Sequence, residues 1–279
     1  DVTNNVLLNI LECYGTKLSK LDVSKNQRLT QLKCHTTSIE ELDVTNNVLL
    51  NILECYGTKL KKLDTSKNSN LVILYCLNTE ISELDIDNNI FLRFLRCNGT
   101  KISKLDTTKN TALQQLYCSN TDVSNLNIKN NKNLAILESV NTKLSTLDVK
   151  SNVNLVSLKF YNNKDCSGID VSNCINLQTL ECYNTNISEL DVTKNTKLVT
   201  LKCSNTKINK LDVENCTNLT VLECYNLELD KLNVSNCTNL QILYCLRTQI
   251  SELDVTNNKN LIFLRCNDTE IEELNIVNC

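Results

Sequence analysis

Leucine recurs along this chain at a constant interval, and that interval limits the folds open to it. Dipeptides of the type Leu-Asp or Leu-Asn, with one Ile-Asp, follow one another every 21 residues, except for a single interval of 22. They begin at Leu21, Leu42, Leu63, Leu84, Leu105, Leu126, Leu147, Ile169, Leu190, Leu211, Leu232, Leu253 and Leu274. Such a period predicts stacked structural units that bury their apolar faces against one another. Residues 1–279 are therefore interpreted as a single solenoid domain of about 13 repeats, irregular at 126–168.

The repeat from Leu29 to Asn47 illustrates the expected secondary structure. Leu32 and Cys34 alternate with polar residues, and Leu42 and Val44 repeat this alternation ten residues later. Alternation of this kind is typical of a strand with one buried face. The sequence therefore predicts a mainly β fold: short parallel strands stacked into one sheet, a second strand or extended segment on the opposite wall, and little helix.

Asparagine and threonine recur where the chain turns between these two segments. An inward Asn, as at Asn26 and Asn68, offers two donors and an acceptor to backbone groups of the turn, so the sequence predicts an asparagine ladder. A Thr, as at Thr37 and Thr58, satisfies fewer partners. We expect the threonine corner to depend more on the packing of β-branched side chains.

The 16 cysteines follow the same repeat. Eleven form one column: Cys13, Cys34, Cys55, Cys76, Cys97, Cys118, Cys182, Cys203, Cys224, Cys245 and Cys266. Four more take the place of the ladder asparagine: Cys174, Cys216, Cys237 and Cys279. Cysteine at such positions behaves as a small buried apolar residue, so packed reduced thiols are favoured over disulfides between repeats and over metal ligation. Cys166 fits neither set and is predicted to be the one accessible thiol.

Composition and motifs weaken several classes of function. Basic and acidic residues, 29 and 32 in number, are interspersed without a basic stripe, so the sequence predicts no nucleic-acid partner. No apolar run approaches the length of a membrane span, so no membrane insertion is expected. His35, the one histidine, is interpreted as a surface residue, and no phosphate loop or metal-ligand spacing occurs. We therefore predict no catalytic residues, no metal and no cofactor. The chain lacks an initiator Met, and we interpret it as a processed, excised or engineered segment.

The residue before each column cysteine faces outward on the main strand. Down the chain this exposed column reads Glu12, Lys33, Glu54, Tyr75, Arg96, Tyr117, Glu138, Lys159, Glu181, Lys202, Glu223, Tyr244 and Arg265. One interpretation is pairing between adjacent repeats through ion pairs and cation–π contacts of roughly 0.2 to 1 kcal/mol each. The other is a binding surface, because Tyr and Arg are enriched at interface hot spots. The binding interpretation selects two clusters: Tyr75, Arg96 and Tyr117, and Tyr225, Tyr244 and Arg265.

An acidic column follows the repeated leucine, as at Asp22 and Asp43. Carboxylates about 5 Å apart repel each other by roughly 1 kcal/mol even in water, so something must offset them. We expect each carboxylate to accept a hydrogen bond from the backbone or the hydroxyl two residues on, as from Ser24. Bound calcium is the lesser alternative.

With these columns in place, the chain resembles the leucine-rich-repeat proteins, and specifically their 21-residue bacterial class, called IRREKO. The pattern of that class is L-x-x-L-x-L-x-x-N-x-L-x-x-L-D-L-x-x-N-x-x, and the likeness covers all 279 residues. Cys replaces the third apolar residue and Thr replaces the first Asn. The resemblance implies a right-handed solenoid of the internalin-like kind, used without catalysis for protein recognition or adhesion, and displayed on or secreted from a microbial cell. Its ligand, a protein or a glycan, is not identified by the sequence.

An alternative function is a structural spacer, stalk or filament-forming solenoid. Both ends stop within a repeat and without a capping unit, so end-to-end self-association through groups such as Leu7 and Leu274 is expected. Recent duplication fits recognition or spacing better than catalysis, because Asp1–Leu18 recurs unchanged as Asp43–Leu60. An extracellular or cell-surface location is expected, with an intracellular effector as the alternative.

Overall fold

The structure is a computed structural model that describes residues 1–276. It contains two compact units, of which unit 1 is Asp1–Leu134 and unit 2 begins at Ala135. Short β-strands joined by tight turns make up both units, and residues 1–276 contain no helix. Cys279, predicted to belong to the asparagine column, lies outside the described residues.

Unit 1 contains a main sheet of six parallel strands, in the order β1-β2-β3-β4-β5-β7, and a small parallel sheet, β6-β8. The strands are β1 (Ile10–Glu12), β2 (Gln31–Lys33), β3 (Ile52–Glu54), β4 (Ile73–Tyr75), β5 (Phe94–Arg96), β6 (Leu105–Asp106), β7 (Gln115–Tyr117) and β8 (Leu126–Asn127). Each main strand pairs with its counterpart one repeat later, as Leu32 with Leu53 and Leu53 with Leu74. We call one repeat with its main strand a rung.

Unit 2 has the same construction, with a main sheet in the order β9-β10-β11-β12-β13-β14-β16 and a small sheet, β15-β17. The strands are β9 (Ile136–Glu138), β10 (Ser157–Lys159), β11 (Thr179–Glu181), β12 (Thr200–Lys202), β13 (Val221–Glu223), β14 (Ile242–Tyr244), β15 (Glu252–Asp254), β16 (Phe263–Arg265) and β17 (Glu273–Asn275). The long interval leaves the register intact, because Leu158 pairs with Leu137 and, 22 residues on, with Leu180. The predicted leucine-rich-repeat solenoid is confirmed, and the single-domain interpretation stays a prediction.

Inward asparagines connect most rungs to the one before them. The side-chain amide of Asn68 donates to Val44 O at 3.0 Å and to Asn47 O at 2.8 Å, and Asn47 does the same to Val23 and Asn26. These asparagines are fully buried, so the bonds satisfy backbone carbonyls that water does not reach. The predicted asparagine ladder is confirmed.

Two inner threonines complete this hydrogen bonding in unit 1. The Thr65 hydroxyl donates to Asn89 Oδ1 at 2.9 Å, and the Thr107 hydroxyl donates to Asn131 Oδ1 at 2.8 Å. Where valine occupies the equivalent position, as at Val44, no described residue donates to Oδ1 of the next ladder asparagine, Asn68. The ladder amides therefore differ in how completely they are satisfied.

Cysteine is a weaker substitute in the ladder. Cys216 Sγ lies 3.7 Å from Val192 O and 3.9 Å from Asn195 O, the two carbonyls that an asparagine in this column would bind. One S–H group can donate to only one of them, and sulfur is a weak donor. The column thus retains its buried packing at Cys216 but loses hydrogen-bond strength.

The threonine corner differs from the expectation. Thr37 Oγ1 donates to Cys34 O at 2.8 Å, and Thr58 Oγ1 donates to Cys55 O at 2.7 Å, so the hydroxyl closes the corner directly. The residue before the threonine has a left-handed backbone, as at Asn78 with φ 53°. The sequence pattern did not predict this bond, which forms because the left-handed backbone brings the hydroxyl onto the carbonyl three residues earlier, and the larger role of packing stays a prediction.

Cys166 is also placed differently from the prediction. It is fully buried, and Asn186 N donates to its carbonyl at 2.9 Å, as Lys207 N donates to Ile187 O in a regular rung. Cys166 therefore occupies the column of Ile187, and the extra residue of the long repeat lies in the corner before it. The prediction of an accessible thiol was wrong, because an insertion in the corner shifts Cys166 inward.

The main cysteine column faces inward, as predicted. Burial raises the pKa of the Cys34 and Cys76 thiols to about 12, and neither residue forms a disulfide. Among the cysteines of residues 1–276, only Cys13 and Cys266 are partly accessible. Reactivity requires the thiolate, so the buried thiols are chemically protected.

We predict that removing one ladder amide destabilises the protein more than removing an exposed asparagine of the same turn. Asn68→Ala deletes two buried hydrogen bonds and should lower the free energy of unfolding by about 2 to 3 kcal/mol. Asn70→Ala, the control, deletes one exposed bond to Val48 O at 3.2 Å and should cost less than about 1 kcal/mol. Denaturant titration measures both, and equal losses would contradict the ladder.

We predict that a thiol reagent at neutral pH labels Cys13 and Cys266 first among the described cysteines. Cys166 and the other buried thiols should react only on unfolding, and denatured protein should show all 16. Peptide mass spectrometry after timed labelling identifies each site. Fast native labelling of Cys97 or Cys166 would refute the inward placement.

Candidate protein-binding face

The outer face of the main sheet carries the predicted site residues. In β4, Leu74 points into the core, whereas Ile73 and Tyr75 lie half-buried on the outer face. Side chains of a strand alternate between its two faces, so every main strand presents its first and third residues outward. We call this surface, together with the residue after each column cysteine, the outer face.

Tyr75, Arg96 and Tyr117 meet as predicted. The register places Arg96 between the two tyrosines on neighbouring strands. Its guanidinium carbon lies 5.0 Å from the centre of the Tyr75 ring and 4.6 Å from that of Tyr117. All three side chains are half-buried. The rings attract the cation and restrict the arginine side chain to one place.

An apolar column beside this cluster was missed by the sequence analysis. Ile52, Ile73 and Phe94 occupy the first positions of β3, β4 and β5, are paired in register, and are half-buried on the outer face. The signal was present, because an apolar residue precedes the buried leucine in each of these three strands. Outward apolar side chains next to Tyr75 and Arg96 extend the candidate surface.

The second predicted cluster forms only in part. Arg265 lies over the Tyr244 ring, with its guanidinium carbon 4.9 Å from the ring centre. Tyr225 stands in the neighbouring column, after the cysteine, where its N–H donates to Ser204 Oγ at 3.1 Å. Unit 2 therefore presents a pair formed by the half-buried Tyr244 and the exposed Arg265, with Tyr225 beside it.

Charged members of the same column pair within the chain. Lys33 Nζ lies 2.8 Å from Glu12 Oε1, and Lys202 Nζ lies 2.9 Å from Glu223 Oε1. A hydrogen bond with Glu12, together with the nearby carboxylates, raises the pKa of Lys33. The predicted pairing between repeats is confirmed at these positions, where surface ion pairs each contribute about 0.2 to 1 kcal/mol.

His35 is more enclosed than a plain surface residue. Its ring stacks between Tyr14 and Tyr56, with ring centres 4.5 and 4.1 Å away, and its Nε2 lies 3.9 Å from Glu54 Oε2. Burial lowers the pKa of His35, while Glu54 acts in the opposite direction. The sequence pattern carries only a weak signal for this stacking, because stacking depends on side-chain rotamers.

A second aromatic stack lies in unit 2, where Tyr161 and Tyr183 have ring centres 4.2 Å apart. Burial, followed by the hydrogen bond with Tyr161, raises the pKa of the Tyr183 phenol. The residues of both stacks lie directly after positions of the main cysteine column. Aromatic contact along the outer face is thus a recurring consequence of the register.

The carboxylates of the acidic column are stabilised by local hydrogen bonds, as predicted. Asp43 Oδ1 accepts a hydrogen bond from Thr45 N–H at 2.9 Å and another from Thr45 Oγ1 at 2.6 Å. The hydroxyl bond, followed by the backbone bond, lowers the pKa of Asp43. Asn233 holds the same turn with its amide oxygen, 3.0 Å from Ser235 N. The turn therefore needs an acceptor and does not need a charge.

Within residues 1–276, no cluster of His, Cys, Asp and Glu side chains has the arrangement of a metal site. The same residues include no helix with the length and apolarity of a membrane span.

The sequence matches no protein-family model and no curated protein. Among solved structures, the functional domain of InlJ from Listeria monocytogenes, which includes a cysteine ladder, is 29% identical with a TM-score of 0.87. That alignment covers 96% of this chain and 65% of the InlJ chain. This chain thus spans less than two thirds of the InlJ structure.

Two further structures share the fold at lower identity. The internalin InlF of Listeria monocytogenes is 18% identical with a TM-score of 0.82, over 99% of this chain and 85% of the other. YopM of Yersinia enterocolitica is 22% identical with a TM-score of 0.77, over 95% of this chain and 57% of the other. The chain is therefore an internalin-like leucine-rich-repeat protein in fold.

We predict that the acidic column makes stability depend on pH. The lowered pKa of Asp43 and Asp191 means that their contribution is complete above the unfolded value of 3.8 and disappears as pH falls through the folded pKa. The melting temperature should therefore drop as pH falls from about 5 to about 2. Asp43→Asn with Asp191→Asn keeps both turns and should flatten that dependence.

Glu41→Gln is the matched control, because it removes an exposed carboxylate that has no hydrogen bond to a described residue. Its pH profile should follow that of the wild type. Calorimetry across the range measures all three proteins, and an unchanged slope in the double aspartate variant would rule out the column as the cause.

Proposed function

We propose that this chain is a non-enzymatic protein-recognition scaffold and that the outer face of β4, β5 and β7 is its binding surface. The observation that carries the proposal is the cluster of Tyr75, Arg96 and Tyr117, half-buried and in register beside Ile73 and Phe94. Tyrosine and arginine combine a large contact area with a polar group, which is the chemistry of interface hot spots.

Rigidity supports this surface as a recognition site. Arg96 is held by rings on both sides, and each ring sits on a strand fixed by its neighbours. A side chain that is already ordered loses little conformational entropy on binding. The cluster is therefore preorganised for binding.

The structural relatives support the general role. The fold is shared with internalins and with YopM, and repeat solenoids of this type present extended surfaces. Adhesion, together with display on or secretion from a microbial cell, forms the finer part of the proposal. The Tyr244–Arg265 pair is a second candidate contact in unit 2.

A structural spacer is the second candidate, and one observation favours it. The ion pairs Glu12–Lys33 and Lys202–Glu223 satisfy the outer column within the chain itself. If the tyrosine cluster serves the same purpose, its side chains contribute to stability and not to recognition. The two functions therefore predict opposite effects of removing the rings.

We predict that Tyr75→Ala with Tyr117→Ala weakens partner binding by at least about 2 kcal/mol, roughly thirtyfold in Kd, with a smaller loss of folding stability. The partner is recovered by crosslinking from the surface fraction of host or neighbouring cells, identified, purified and titrated against both proteins. Calorimetry supplies the stability of each variant.

Lys202→Ala with Glu223→Ala is the control pair, because it removes a contact of the same column without touching the tyrosine cluster. It should leave affinity unchanged. If both double variants lower only stability and no partner is recovered, the recognition proposal is abandoned in favour of the spacer.

A further inference from the structure

The proposed binding surface lacks acidic groups. The outward positions of its three strands are Ile73, Tyr75, Phe94, Arg96, Gln115 and Tyr117. By contrast, β1 to β3 carry Glu12 and Glu54, which lie close to Lys33 and His35. The surface around Arg96 is therefore a positively charged and apolar patch.

The guanidinium of Arg96 has unused hydrogen-bonding capacity. No carboxylate of the described residues lies within 4.0 Å of it, and its buried Nε has no acceptor there. Elsewhere on the chain, Arg247 has a carboxylate oxygen of Asp268 at 3.6 Å. The rings of Tyr75 and Tyr117 attract the charge through their faces but accept none of its in-plane N–H bonds.

Arg93 adds a second cation at the edge of the patch. It directly precedes Phe94, its side chain is exposed, and no described carboxylate lies within 4.0 Å of it either. Two uncompensated arginines with aliphatic and aromatic neighbours favour a ligand that carries both negative charge and apolar groups.

We infer that the partner of this surface is a protein segment in which an Asp or Glu carboxylate binds Arg96 and an adjacent apolar side chain packs on Ile73 and Phe94. This inference rests on the proposed function and specifies the chemistry of its ligand. A guanidinium between two rings has N–H groups at its edge, and a planar carboxylate can accept two parallel hydrogen bonds from such an edge. A second acidic residue of the segment pairs with Arg93.

The same arginines do not favour a nucleic acid. Phosphate-binding surfaces carry many cations along a stripe, whereas this patch has two and the chain has a net charge of −3. Ile73 and Phe94 also provide aliphatic and aromatic packing that suits protein side chains. Binding of a nucleic-acid phosphate is therefore kept as one outcome of the experiment.

The experiment uses a phage-displayed library of random peptides of about 12 residues, selected on the whole wild-type chain. Binders that also bind Tyr75→Ala with Tyr117→Ala are discarded. The retained peptides should be enriched in Asp or Glu next to an aliphatic or aromatic residue. The most enriched peptide is synthesised and titrated by calorimetry.

Arg96→Gln should weaken that peptide by about tenfold to a hundredfold, and Arg96→Lys by about tenfold, because an ammonium lacks the planar fork. Replacing the carboxylate of the peptide with its amide should cost as much on the wild type and little on Arg96→Gln. This cycle remains decisive even if an Arg96 variant folds poorly, since the peptide substitution is measured on the wild type. Lys202→Gln, the control, should change nothing.

The outcomes separate the two proposals. Peptides that require the tyrosines but carry no carboxylate, or that ignore Arg96→Gln, overturn the inference and leave the recognition surface standing. A selection that yields no tyrosine-dependent peptide overturns both. Binding of a single-stranded oligonucleotide that depends on Arg96, at the strength of the best peptide, overturns the acidic-segment assignment in favour of phosphate.

Discussion

Hydrogen bonds between equivalent positions of adjacent rungs hold this protein together. The strands are two or three residues long, which is too short to persist alone, so each depends on the strand before it and the strand after it. The buried amide of Asn68 strengthens the same register, because its two N–H groups need carbonyls at two fixed places in the preceding rung. A constant repeat length is therefore a structural requirement. The one extra residue is accommodated in the corner before Cys166, outside the column of Asn68, and the strands on either side remain aligned.

The register also determines the chemistry of the outer face, because it places like positions about 4.8 Å apart along the stack. Side chains at that spacing meet whatever the next rung carries. Glu12 meets Lys33 and forms an ion pair, Tyr14 meets His35 and stacks, and Arg96 meets tyrosine on both sides. The same register thus produces ion pairs, ring stacking and cation–π contacts. These contacts differ in how fully they satisfy the charged and hydrogen-bonding groups of the side chains.

Periodicity predicted the features that depend on register alone. The strand positions, the asparagine ladder and the inward cysteine column follow from a fixed interval and an alternating pattern, and so does the contact of Arg96 with both tyrosines. The features it missed depend on local three-dimensional choices. Cys166 is buried because the inserted residue shifts it into the column that Ile187 occupies in the next repeat. Thr37 donates to Cys34 O because the residue before Thr37 has a left-handed backbone. The stacking of His35 depends on side-chain rotamers, which the repeat pattern does not specify.

A spacer and a recognition surface differ in whether the charged side chains of the outer column find partners within the chain. In most of the outer column a cation faces a carboxylate, and the chain neutralises itself, as at Lys202 and Glu223. Around Arg96 the alternation is interrupted, because tyrosine stands on both neighbouring strands where a carboxylate stands beside Lys33. A carboxylate at position 75 would lie one rung from the guanidinium and would neutralise it within the chain. The tyrosines instead hold the cation in place without consuming its hydrogen bonds, which leaves a positioned and unpaired charge for a partner to complete.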